Sequence, residues 1–467
     1  MPTSDPSPPH ESSPALRVLR RIVDVRPGEL RGMLISAVYY FALMASYYPL
    51  RAIRDEIGSR NGAEDLSDLF TGTLVAMMIA VPVFAWLISR FPRQRVLPWV
   101  YAFFTLNIVA FYVLFQFGEA RLERLVWLGR NGNWWAGATY FVWVSVFNVF
   151  VVSVFWGYLA DLFRSDQGKR LFGFIAAGAS VGAIVGAAIP SALAETWHLH
   201  IMLLSAAVLQ LAVVCIWLLG RLTRDPTAAV MLGARQGEKR DSDTVGGSWW
   251  EAFTTVTGSP YLLGIAAFVL LYTASSTLVY FIQAELIDAT FDSRETRVAV
   301  FGRLDLATNI LSLIGQAIIA GRLMSLGSVK LTLIILPIVS LLGFVALLLA
   351  PGGTTWFGYA PILVIFLPFQ TIRRASNYAL AKPAREVLFT VVTRSEKYKA
   401  KVFIDTAIYR AGDAATAWAL KPLEEGAKLL ALTGVGIPLA VVWAVLAFFL
   451  GREHRNRERA ATGASDL

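Results

Sequence analysis

The sequence predicts an all-α polytopic membrane protein of twelve transmembrane helices in two six-helix halves. Three observations carry that prediction. Of 467 residues, 56% are hydrophobic and only 16% charged, where a soluble globular chain carries about a quarter charged residues. The apolar excess falls into repeated blocks of about twenty residues, the length of helix that crosses a bilayer. Finally, the longest polar connection, 221–258, follows the sixth block and divides the chain six plus six.

The expected spans are 32–56, 68–89, 97–117, 134–163, 170–192, 200–220, 259–286, 298–321, 330–350, 356–381, 400–420 and 429–451. The first shows the type: Gly32 to Leu50 is 19 residues without a charge. Residues 1–30 and 452–467 read as tails, 31–220 and 259–451 as the two halves, and 221–258 as a linker. Trp249, Trp250 and Phe253 mark an interfacial helix at the end of that linker. No apolar h-region precedes the first span, so the first helix is expected to stay in the membrane. In the fifth span Gly178, Gly182 and Gly186 stand four apart, a small-residue stripe that lets two helices approach closely.

Lys and Arg number 28 on the side that holds both termini and the connections at 90–96, 164–170, 221–258, 322–330 and 382–401. The other side, at 51–66, 118–133, 288–297 and 421–428, holds 10. Cytoplasmic loops carry the basic excess, so both termini are expected in the cytoplasm of a bacterial inner membrane. The net charge of +9 is spread over short loops and not gathered on one soluble face, so a nucleic-acid partner is not expected. One cysteine, Cys215, excludes an intrachain disulfide framework and a multi-cysteine metal site. The chain has no GxxxxGK[ST] loop, and its four histidines build no hydrolytic constellation. An enzyme, an ATP-driven pump and a cofactor are therefore not expected.

Charged side chains near the bilayer centre cost about 2.5–3.5 kcal/mol on insertion scales and usually face a cavity. Four stretches keep them. In SYYPLRAIRDEIG, Arg51 and Arg54 share one helix face and Asp55 lies four residues from Arg51, within ion-pair reach. Snorkelling at a helix end is the other reading. In FGRLDLATN, Arg303 and Asp305 are two apart, cannot meet along a helix, and each needs a partner on another helix. In FLPFQTIRRASNYALAKPAREVLFT, Arg373 and Arg374 lie well inside the run. Arg374, Asn377 and Tyr378 share a face, and Arg385 follows. Guanidinium forks suit phosphate and carboxylate. In KAKVFIDTAIYRAGDAATAW, Lys401 and Asp405 are four apart and Arg410 and Asp413 three apart, spacings at which each pair can satisfy itself. Asn148 and Glu285 are further polar candidates. Arginines outnumber acids among these groups, which predicts an anionic substrate.

The 6+6 plan resembles the major facilitator superfamily, and GYLADLF at 157–163 and GRLMSLGSVKL at 321–331 resemble its loop signature. More specifically, YYPLRAIRDEIG, FWGYLADLF and RRASNYALAKPAREVLFTVVTRSEKYKAKVFIDTAIYRAGDA resemble segments of the ATP/ADP translocases of plastids and obligate intracellular bacteria. The matching positions in the last segment are Tyr378, Leu380, Pro383, Arg385, Glu386, Lys397, Lys399, Lys401, Ile404 and Asp405. Two acids of that family fall on Val144 and Tyr280, and Asn377, Lys382 and Arg385 replace others of its polar set. The resemblance implies a non-enzymatic antiporter-like carrier with a basic cavity, working by alternating access.

The expectation is thus a secondary transporter of a small organic anion, with a nucleotide or other phosphorylated metabolite as the case the resemblance implies. Arg51, Arg54, Arg303, Arg373, Arg374, Asn377, Tyr378 and Arg385 are the candidate substrate contacts. Asp55, Glu285, Asp305, Lys401, Asp405, Arg410 and Asp413 are the candidate gating or counter-charges. The chain is expected to work as a monomer among membrane lipids. A proton-coupled carrier of a drug, siderophore or nutrient is the alternative within transport, and a non-transporting scaffold or receptor the alternative outside it.

Overall fold

The computed structural model describes residues 25–26, 28–60, 62–90, 93–224, 249–320, 329–393, 396, 400–401, 403–422 and 428–463. Lys397, Lys399 and most of the linker lie outside them. Twelve long helical segments run through these residues: α1 Glu29–Ser59, α2 Gly62–Arg90, α3 Arg93–Phe117, α4 Gly132–Leu162, α5 Ser165–Trp197 and α6 Ile201–Leu222 in the first half. The second half has α7 Pro260–Thr290, α8 Arg294–Gly315, α9 Val329–Leu348, α10 Pro361–Ser376, α11 Tyr409–Leu420 and α12 Lys428–Gly463. A short helix, Trp249–Gly258, leads into α7.

Local chemistry sets the helix starts. Asn131, Ser259 and Ser293 each accept the backbone N–H three residues on, at the starts of α4, α7 and α8, the N-cap role of short polar side chains. Pro260 and Pro361 occupy first-turn positions, where no N–H is needed. The helix begun by α10 does not stop at 381. A π turn, Asn377–Ala381, carries it into Lys382–Leu388. Pro383 has no N–H to give the preceding turn, and the wider turn accommodates the missing bond. Residues 382–388, expected as connection, are therefore helix. A second π turn, Ile404–Ile408, opens into α11. The last helix also outruns expectation, because residues 452–463, read as tail, continue α12. His454 is buried there, with its Nε2 3.2 Å from the Val387 carbonyl oxygen.

Among the described residues nine helical stretches are long and apolar enough to cross a bilayer, one of them (Arg170–Leu222) holding both α5 and α6. The segments around α10 and α11 are absent from that set. Their polarity is Arg373, Arg374, Arg410 and Asp413, and these residues line the cavity described below.

The glycine stripe packs as expected. A side chain at Gly178, Gly182 or Gly186 would collide with the α1 backbone at Ala37, Phe41 and Ala45. α1 is thereby pressed onto α5, and Ser205 of α6 donates to the Ser46 carbonyl. The opposite face of α1 is left to carry Tyr47, Tyr48, Arg51 and Arg54 toward the interior. Buried apolar side chains form one large cluster built mainly from the first half and two others built mainly from the second.

Candidate functional site

The site lies where the halves meet. A cavity of about 560 Å³ is walled by α1, α2 and α4 from one half and by α7, α10 and α11 from the other. Arg51, Arg54, Arg373, Arg374, Lys382 and Arg410 line it, with Asp413 as the facing acid. Tyr47, Tyr48, Tyr272, Tyr280, Tyr378 and Tyr409 supply aromatic faces with polar tips. A second space of about 370 Å³ shares Tyr272, Asn377, Tyr378, Lys382, Tyr409 and Arg410 with the first. It runs past Arg385 and Asp405 to Phe389, toward the end of the bundle that carries both termini.

Neighbouring arginines on α10 are held in different ways. Arg374 pairs with Asp305 of α8, whose second carboxylate oxygen lies 3.5 Å from Arg51 Nε across the interface. Asp305 therefore found partners on two other helices, as its spacing from Arg303 requires. Arg373, fully inside the bundle, meets hydroxyls: it donates to Ser340 at 3.1 Å, Ser275 at 3.2 Å and Ser276 at 3.0 Å. On α1, Asp55 accepts from Arg54 at 2.6 Å and lies 3.6 Å from Arg51. Arg54 also donates to Ser145 at 3.4 Å and sits 5.0 Å over the Phe141 ring. Tyr280, where the resemblance would place an acid, donates to Asp55 at 3.3 Å. Val144, at the other such position, is fully buried.

Asn377 donates to the Tyr272 hydroxyl at 2.9 Å, and its carbonyl oxygen is buried without a hydrogen-bond partner. Arg385 lies 5.2 Å over the Tyr272 ring with Nη1 likewise unpartnered. Arg410 and Asp413 pair along their helix at 3.4 Å, as their spacing predicts. Lys401 does not pair with Asp405. It reaches Glu386 at 2.5 Å, because the unexpected helical turns 382–388 bring that carboxylate alongside. Arg303 is the clearest departure. It faces outward, 57% exposed, 3.2 Å from Glu195 of α5, and does not line the cavity. Glu285 is half-buried on α7 and lines neither space.

Among the described residues, the bonds that join the halves run from the middle of the bundle to the end away from the termini. Besides Arg51–Asp305, Tyr48 donates to Asn309 at 3.0 Å, Trp418 to Thr71 at 2.8 Å, and Lys421 lies 3.6 Å from Asp68. Glu56, fully buried on α1, receives Arg297 at 3.2 Å from α8. Sequence reasoning missed this clasp, although Glu56 directly follows Asp55 and Arg297 closes the short polar run SRETR. Of the cavity tyrosines it singled out Tyr378 as a contact and missed Tyr47, Tyr48, Tyr272 and Tyr409, although Tyr47 and Tyr48 stand beside Pro49 in plain view.

Twelve helical segments among the described residues, in two halves around a basic central cavity, are the build of a membrane transporter. The description Major Facilitator Superfamily matches residues 32–381, and the chain belongs to that family. Among curated proteins it is similar to ADP,ATP carrier protein 2 of Chlamydia pneumoniae, 21% identical over 88% of this chain and 86% of that one. It is also similar to ADP,ATP carrier protein 1 of Chlamydia trachomatis, 23% identical over 60% and 57%. Among solved structures it resembles a bacterial homologue of the iron transporter ferroportin in an inward-facing state. The TM-score is 0.63 at 14% identity, covering 90% of this chain and 99% of that one. The inward-open xylose transporter XylE from E. coli gives 0.56 at 13%, over 89% and 95%. The nucleoside transporter NupG gives 0.53 at 13%, over 90% and 99%. The chain is thus similar at low identity to the ADP,ATP carriers, and it is a secondary transporter.

Proposed function

We propose that this transporter carries an organic anion of the phosphorylated class, a nucleotide or related metabolite, through the cavity between its halves. The observation that carries the reading is the lining itself: six basic side chains from both halves face Asp413. An anion of several charges can engage both halves at once there. The names of the Chlamydia relatives point to nucleotides, and the ring-and-phosphate build of such molecules suits the mixture of tyrosines and guanidinium groups.

In this reading Arg51, Arg54, Arg373, Arg374 and Arg385 contact the anion, and Asn377 and Tyr378 give selectivity. Asp305 and Asp55 act as internal counter-anions. An entering phosphate competes with Asp305 for Arg51 and Arg374. Since Arg51–Asp305 crosses the interface, that competition loosens the contact between halves, and binding is coupled to the change of access. Access in the described state is from the end that carries the termini, which the loop charges assign to the cytoplasm of a bacterial inner membrane. The carrier acts as a monomer and performs no covalent chemistry.

Counterflow in liposomes tests this. Labelled ATP, ADP and a panel of phosphorylated metabolites are expected to exchange against at least one member of the panel. Proton-driven uptake of a neutral solute, with no exchange of any phosphorylated anion, overturns it.

A further inference from the structure

Each half carries, between its third and fourth helices, a tight aromatic turn that the transport cavity does not explain. In the first half Val126–Trp127 pairs with Arg130–Asn131 as a two-stranded hairpin, β1 and β2. In the second half Trp356 and Tyr359 form the corresponding bridge. The central residues are Leu128-Gly129 and Phe357-Gly358, so the two halves read Trp-Leu-Gly and Trp-Phe-Gly at equivalent places. Both central residues of each turn have positive φ, 52° and 74° in the first, 53° and 84° in the second. A two-residue hairpin favours this turn type, and its first position normally goes to Asn, Asp or Gly. A bulky side chain in the left-handed region is strained.

Among the described residues nothing covers either strained side chain. Leu128 is 74% exposed and Phe357 92% exposed. The flanking helices show what surrounds them: Phe103, Leu106 and Phe117 of α3, and Leu342 and Leu349 at α9, are exposed apolar side chains on the outside of the bundle. On a membrane transporter that face is lipid. Each turn lies where a pair of these helices leaves the bilayer, at the end away from the termini. Tryptophans at that level match the aromatic belt of membrane proteins. Each turn is also tied to its own half. Arg130 is paired with Asp65 of α2, and Tyr359 lies 5.8 Å from the Phe291 ring, between α7 and α8.

We propose that the two turns are paired membrane anchors. Leu128 and Phe357 insert into the headgroup region of the leaflet at the end away from the termini and hold the outer ends of α3 and α9 at fixed depth while the halves rock. The occupant of both tips is phospholipid. The test uses the full chain in proteoliposomes, with Cys215→Ser removing the native thiol and Leu128→Cys or Phe357→Cys carrying an environment-sensitive fluorophore. Quenching of both labels by phospholipids with a doxyl group near the headgroup, but weakly by aqueous iodide, is the expected result. Strong iodide quenching at either site overturns the proposal, and so does shielding from both quenchers, which would mean a protein cover. Leu128→Asn and Phe357→Asn give an independent readout, since Asn accepts the left-handed conformation and removes the apolar tip. The double variant is expected to be at least as stable as the parent in detergent, where relief of the strained turns acts alone, and to unfold at lower temperature than the parent in bilayers. Equal behaviour in both media overturns the anchor role.

Discussion

Arg373 and Arg374 are neighbours on one helix, one buried and one partly buried, both lining the same cavity, yet their surroundings differ in kind. Arg374 faces a carboxylate that it shares with Arg51 from the other half. Arg373 faces three serine hydroxyls. A guanidinium held by a carboxylate is neutralised until another anion displaces that partner. A guanidinium held by neutral hydroxyls keeps its charge, and its field reaches into the cavity undiminished. The first arrangement is a switch, and the second a standing attraction for anions.

Breaking the carboxylate side has the largest expected effect. Asp305→Asn leaves Arg51 and Arg374 without their shared counter-charge, and removing one partner of a buried pair costs about 3–5 kcal/mol. A marked fall in thermal unfolding temperature is expected, together with tighter anion binding, because the internal competitor is gone. If stability falls while anion affinity also drops, Asp305 is not a competitor. Arg374→Gln on the Asp305→Asn background should recover part of the stability.

The hydroxyl side is sharpened by Arg373→Met, which keeps an unbranched stem and removes the guanidinium charge. A charge-assisted hydrogen bond contributes about 1.5–3 kcal/mol, so anion affinity should fall roughly 10- to 100-fold in a binding assay, with expression retained. Unchanged affinity would show that the standing charge at Arg373 does not attract the substrate.

Smaller effects separate the interface from the site. Trp418→Phe removes the bond to Thr71 that helps close the end away from the termini, and a neutral hydrogen bond contributes roughly 0.5–1.5 kcal/mol. Accessibility labelling at that end should rise a few-fold while substrate affinity in the described state holds. Arg303→Ala should have the least effect. Its pair with Glu195 is half-exposed on both sides, and such pairs contribute about 0–1 kcal/mol. Loss of transport in that variant would return Arg303 to the binding site.

Arg303 also shows where sequence reading stops. An arginine inside an apolar run must have a reason to be there, and periodicity supplies its span. Which side of the helix meets a cavity depends on how α8 is rotated against α5 and α10. That rotation follows from close contacts such as Gly302 against Pro190 and Ser191. Asp305, two residues on, was turned inward by the same packing. Lys401 gives a second case, since its spacing allowed Asp405 but the fold offered Glu386 at closer range.

By itself the sequence determined the membrane class, the approximate position of most helices, and the positive excess of the cavity lining. Those properties follow from hydrophobicity, helical period and charge cost, all of which act over neighbouring residues. The tertiary structure alone decided which arginines face the cavity, that Arg373 is held by serines while Arg374 shares Asp305, and that Glu56 clasps Arg297 across the interface. These depend on helices that are far apart in the chain, and on the few close glycine and serine contacts that fix their rotation.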